Sequence, residues 1–145
     1  MVKRSREVAD TPQKGQKRYC LYKAVIDKYQ EALDNHYYLE AITLMESLIA
    51  DRLESAIIHY GLRTPENVFL TLGASINEIK RAEGLLSDDL LSKLDSWRES
   101  RNQALHEMAK IEDGDSAQFN QRYACLKQIA KNGYDLFKSI NEETR

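Results

Sequence analysis

Apolar positions recur along this chain at the spacing of helices, and no stretch alternates with the period of a strand. Tyr22, Ile26, Tyr29 and Leu33 fall at i, i+4, i+7 and i+11, which predicts a first helix over about residues 17–33. Asp34-Asn35 ends it. A second, longer helix is predicted over about residues 37–60. Its apolar stripe, through Leu39, Ile42, Met45, Leu48, Ile49, Leu53, Ala56 and Ile57, is wide enough for a central bundle helix. Gly61 follows, where a left-handed cap is cheap for glycine.

Thr64-Pro65 reads as a helix start, with threonine as cap and proline at the first helical position. The next ten residues suit only a short turn, followed by a third helix from Ser75 to about Glu83, ended by Gly84. Ser87-Asp88-Asp89 starts a fourth helix, with acids at its positive end, running to about Lys110. A loop over Glu112–Asp115 leads to a last helix over about residues 116–140, carrying Phe119, Tyr123, Leu126, Ile129, Ala130, Phe137 and Ile140. Gly133 interrupts it at about 1 kcal/mol relative to alanine, which marks a bend or a close helix contact. The expected fold class is all-α, an up-and-down bundle of four to five helices. Residues 1–16 hold no apolar repeat and read as a flexible, weakly basic tail, leaving 17–145 as one helical-bundle domain.

At 145 residues the chain is long enough to bury a core without a metal or disulfide staple. Lys and Arg number 21 against 23 Asp and Glu, and a net charge of −2 argues against a protein that coats nucleic acid by charge alone. No run of 18 apolar residues occurs, so no membrane span or membrane partner is expected. The basic start lacks the apolar core of a secretory signal, and a cytoplasmic location is the default. Cys20 and Cys125 lie too far apart for a CxxC metal site and read as small buried hydrophobes. No metal or cofactor site is expected, and no Gly-rich phosphate loop exists.

One helix breaks its own pattern. With Arg101 at 0° and about 100° per residue, Leu94 and Leu105 fall near 20° and 40°, and Leu90 and Met108 near 340°. Trp97 falls near 320° and Ala104 near 300°. Arg101 therefore sits inside the apolar stripe of the fourth helix. A buried guanidinium needs a partner, because desolvating an isolated charge costs several kcal/mol. That partner is a carboxylate of another helix (Glu40, Glu46 or Glu54), a second subunit, or an anionic ligand. Beside it lie Asn102 and His106, four residues apart and so on one face, with Asp95 and Glu99 continuing the rail. A fixed cation, an amide and an imidazole on one edge suit phosphate chemistry: arginine binds phosphate oxygens bidentately, and histidine exchanges protons near neutral pH.

The string Arg101-Asn102-Gln103-Ala104-Leu105-His106 resembles the R-x(4–6)-H signature of the HEPN superfamily, in which a polar residue, often asparagine, follows the arginine. The run LLSKLDSWRESRNQALHEM looks like the motif helix of that family, and HYYLEAITLMESLIADRLESAIIHYG like its earlier core helix. The resemblance covers about residues 17–141. It implies a HEPN-like bundle that forms a homodimer, and a metal-independent endoribonuclease of toxin–antitoxin or phage-defence systems with a composite site across the dimer. Arg101, Asn102 and His106 would then be catalytic, acting on an RNA substrate, with an antitoxin or other regulatory protein as partner. A subset of the family carries a tyrosine two residues after the histidine; here that position is Met108, which departs from the subset paired with nucleotidyltransferases. Other members are catalytically inactive modules that bind a partner protein or nucleotide, and this is the alternative.

The remaining features read as structural. His36 and His59 stand at opposite ends of the second helix and cannot share a metal from one turn. Tyr37 and Tyr38 line helix contacts rather than stack bases. Lys127, Lys131 and Lys138 form a solvated face. The acidic loop fails the spacing of a calcium-binding loop.

Overall fold

The structure is a computed structural model that describes residues 6–67, 70–110 and 119–144. Among these residues it holds five α-helices and one 3-10 turn, with no strand. They are α1 (Pro12–Asp34), α2 (Tyr38–His59), α3 (Leu72–Arg81), α4 (Asp88–His106) and α5 (Phe119–Glu143); the 3-10 turn spans Pro65–Asn67. The acidic loop and the first residues assigned to the last helix, 116–118, lie outside the described residues. No helix among the described residues is long and apolar enough to cross a membrane.

Helix α2 forms the centre. Its core face, Ile42, Met45, Ile49, Leu53 and Ile57, is fully buried. Along its length it packs against α1 and α5, and α3 lies across it. Helices α2 and α5 run parallel: the Tyr38 amide donates to the Tyr123 hydroxyl near their starts (3.1 Å), and Arg52 donates to Thr144 near their ends (2.9 Å). Helix α1 runs antiparallel to α5, tied by the Tyr29 hydroxyl donating to the Ala130 carbonyl (3.2 Å). Burial pushes the Tyr29 phenol up to about 12, so it is a permanent donor there. Helix α4 is joined to α5 where the Trp97 indole donates to the Ile129 carbonyl (2.8 Å). The all-helical bundle expected from the apolar periodicity is therefore present.

Gly133 marks a close contact rather than a bend. A Cβ at this position would lie 2.8 Å from the Trp97 ring and 3.0 Å from Met45 Cγ. Helices α2, α4 and α5 thus converge on one glycine.

Helix α5 runs to Glu143, three residues past the expected end; three other helix ends differ because hydrogen bonds rather than burial set them. Helix α1 starts at Pro12, so residues 12–16 are helix rather than tail; the Thr11 hydroxyl accepts from the Lys14 amide (3.2 Å) and caps it. Helix α3 starts at Leu72, three residues before Ser75, because Thr71 caps the Ala74 amide (3.2 Å). Helix α4 stops at His106, not Lys110. Its last turn is closed from α5, where Arg122 donates to the carbonyls of Glu107 (2.9 Å), Met108 (3.3 Å) and Lys110 (2.5 Å).

The cysteines also correct the sequence reading. Both are exposed. Cys20 lies between the exposed Tyr19 and Leu21 on the outer face of α1. Cys125 precedes Leu126, and it is Leu126, Ala130, Gly133, Phe137 and Ile140 that hold the inner face of α5.

Arg6, ahead of α1, is tied down. Its guanidinium meets Asp51 (2.5 Å) and Glu54 (3.1 Å) and donates to the Asp51 carbonyl (3.2 Å) and the Ser55 hydroxyl. The Tyr22 hydroxyl donates to the same Asp51 carboxylate. Burial pushes the Asp51 carboxyl up, but the hydrogen bonds from Arg6 and Tyr22 outweigh it and hold it below its ordinary value. A depressed folded value stabilises above the ordinary carboxylate range and is lost as pH falls through the folded value. Glu54 has the opposite sign: burial raises it, so its ionised form offsets part of the gain. Asp51→Asn is expected to cost about 1 kcal/mol in urea unfolding at pH 7, with the gap from wild type closing below about pH 4. An equal gap at pH 3 and pH 7 would show that Asp51 contributes shape rather than charge.

Candidate functional site

The candidate residues occupy the last two turns of α4. Each rises from the pattern that makes the helix: Ser87 caps the start by accepting from the Leu90 amide (3.2 Å), and Leu90, Leu94 and Trp97 bury one stripe. That stripe fixes the rotation of the helix and so turns Arg101 inward. The Arg101 side chain is 14% exposed.

Its partner comes from α2. Arg101 Nη1 forms an ion pair with the Glu46 carboxylate, one of the three acids considered from the sequence. The other two are placed elsewhere, Glu54 on Arg6 and Glu40 in solvent. Nη2 donates to the Asn102 side-chain oxygen (2.6 Å), so the amide braces the guanidinium. Each terminal nitrogen carries a second N–H, and Nε is buried with no hydrogen-bond partner among the described residues. The guanidinium is thus held in place, with donors beyond those it spends on Glu46 and Asn102.

His106 is the final residue of α4 and is exposed. It lies one turn beyond Asn102, a rise of about 6 Å, and about 7.5 Å along the axis from Arg101. The cation is therefore inside the bundle wall and the imidazole at its rim. Arg122 fixes the backbone directly after the histidine. Sequence reasoning missed Arg122, since nothing in its local pattern shows that α5 begins beside the end of α4.

Asp95 and Glu99 do not join the group. Asp95 pairs with Lys80 of α3 and lies 3.5 Å from Arg98. The Lys80 ammonium, hydrogen-bonded to it, holds its carboxyl below the usual range. Eleven residues separate it from His106, about 16 Å of helix, and exposed Glu99 is about 10 Å away. Leu105, expected in the apolar stripe, is 44% exposed, and Phe119 at the start of α5 is 60% exposed. The stripe continues past the end of the core, leaving apolar surface beside His106.

The other candidates are placed away from this edge or in contacts. His36 adopts a left-handed backbone (φ 62°) in the turn between α1 and α2, and its carbonyl accepts from the Tyr123 hydroxyl (2.6 Å). Tyr38 is buried against Tyr123, while Tyr37 is exposed. Lys127, Lys131 and Lys138 are all exposed on α5. Among the described residues no three His, Cys, Asp or Glu side chains gather as metal ligands would. No family model, curated protein or solved structure matches this chain.

Proposed function

We propose that this protein is a metal-independent endoribonuclease of the HEPN type, working as a homodimer with a composite site, in a toxin–antitoxin or phage-defence setting. The observation that carries the proposal is the edge of α4: a braced, inward arginine, an asparagine bonded to it, and an open histidine one turn further on. In this reading the ribose 2′-OH attacks the adjacent phosphorus, its proton leaves to a base, and the 5′-oxygen departs with a proton from an acid. His106 serves one of these proton transfers. Arg101 stabilises the charge that develops on the phosphoryl oxygens. Asn102 positions Arg101. The exposed Leu105 suits burial against a second copy, which would bring two such edges together.

Purified protein is expected to cleave RNA in EDTA and to leave 2′,3′-cyclic phosphate and 5′-hydroxyl ends. Loss of cleavage on chelation, or products with 3′-hydroxyl ends, would overturn the mechanism.

One observation favours a second reading, a catalytically silent helical module that binds a partner protein or nucleotide through the same edge. Arg101 already has a carboxylate, so its burial is explained without a substrate. The double replacement Glu46→Ala with Arg101→Ala separates the two. It removes both charges, so it is expected to restore most of the stability lost in Arg101→Ala, by about 1 kcal/mol or more, because no charge is left unpaired. Under the nuclease reading cleavage stays abolished in the double variant. Cleavage recovered together with stability would make Arg101 an internal ion pair only.

A further inference from the structure

At the end of the bundle remote from His106, the segment before α1 crosses a space between α1 and the second half of α2. Two adjoining cavities of about 290 and 390 Å³ open on either side of it, both walled by Arg6, Val8, Ala9 and Arg18. The smaller is completed by Arg52 and His59 of α2 and by Thr144 after α5. In a chain with net charge −2, this concentration of cations is one-sided.

Three of the acids nearby are already engaged. Asp51 and Glu54 are held by Arg6, and Asp10 lies 3.3 Å from Lys14. Glu7 is exposed on the wall of the larger cavity. Arg18 makes no hydrogen bond or close ion pair among the described residues, and its charge acts on Asp51 from a distance. Arg52 donates through Nη2 to Thr144 (2.9 Å), and its Nε is buried with no hydrogen-bond partner among the described residues. Arg18, Arg52 and His59 all line the smaller cavity. Two guanidiniums with an imidazole in the same wall match a doubly charged tetrahedral anion better than a single carboxylate. The larger cavity adds an apolar side, Leu21, Val25 and Leu48, suited to the uncharged body of a small ester. Its size is within the usual range of small-molecule sites.

We propose that this pocket binds a phosphate dianion, free or as the end group of a small phosphomonoester, between Arg18, Arg52 and His59 beneath the segment 6–10. The site stands about 20 to 30 Å along α2 from the Tyr38 end of the bundle and does not depend on the ribonuclease reading.

The test is calorimetric titration of the full chain with inorganic phosphate, with ribose 5-phosphate, and with acetate at matched ionic strength. Saturable binding of phosphate or its ester but not acetate is expected, weakened tenfold or more by Arg18→Gln and by Arg52→Gln and unchanged by Lys127→Gln, a change at an exposed position of α5. Tighter binding of ribose 5-phosphate supports a phosphorylated metabolite, and equal binding supports free phosphate. Arg18→Gln removes no internal hydrogen bond, so it decides the matter if Arg52→Gln unfolds. No saturable binding, an equal response to acetate, or binding indifferent to Arg18→Gln would overturn the proposal.

Discussion

His106→Ala is expected to lower RNA cleavage by about 10²- to 10⁴-fold while leaving the thermal unfolding midpoint within a degree or two of wild type. The histidine is exposed at the end of α4, so the folded state loses little when it is shortened. Its neighbour in the proposed site behaves differently. Arg101→Ala is expected to lower cleavage by about 10²- to 10³-fold under the proposed mechanism and also strands the Glu46 carboxylate, so activity and stability are expected to fall together. The contrast is the informative part. A rim residue that carries chemistry separates the two readouts, and a residue in the wall couples them. Cleavage undiminished in His106→Ala, measured in EDTA on the same RNA, would remove the histidine from the mechanism and with it the proposed reaction.

The largest effect on stability is expected at Trp97. Trp97→Ala empties the space against Gly133 and Met45 and removes the indole bond to the Ile129 carbonyl, at a cost of about 3–5 kcal/mol. For a chain of this length that lowers Tm by roughly 10 °C or more. Gly133→Ala presses a methyl into the same ring from the opposite side. Overpacking of about 1–3 kcal/mol competes with a helix-propensity gain of about 1 kcal/mol, and the 2.8 Å approach to a rigid indole decides for destabilisation. The two substitutions are strongly non-additive. In a Trp97→Ala background the added methyl meets empty space, and Gly133→Ala is expected to become neutral or stabilising. Thermal denaturation of the four proteins of this cycle measures the coupling. An additive result would mean that the ring and the glycine do not touch.

Helices held by burial were legible in the sequence, and ends held by hydrogen bonds were not. The stripe of α2 matched its buried residues closely, since apolar spacing and packing are one signal. The start of α1 was missed although Thr11-Pro12 repeats the chemistry of Thr64-Pro65. Its first turns bury nothing large, so periodicity is silent there. The stretch before Ser75 suited only a short turn by its pattern, yet Gly73 lies inside α3, where a Cβ would sit 3.5 Å from the Arg98 guanidinium. In the candidate site the inward position of Arg101 followed from angles on one helix. The choice of Glu46 over Glu40 and Glu54 did not, because it depends on the rotation and register of α2 against α4. Arg122 belongs to the same class: a contact made by the arrival of one helix beside the end of another leaves no local trace.

Helix α5 closes the core, and it follows the other four described helices in sequence. The partners it reaches lie far back: Tyr29 with Ala130, Tyr38 with Tyr123, Met45 with Gly133. During synthesis the parts of α2 and α4 that α5 covers therefore emerge before it, and a nascent chain that stops short of residue 119 leaves those parts open. The same delay withholds the Arg122 clamp behind His106, so this edge of α4 takes its final form only once translation has passed the start of α5.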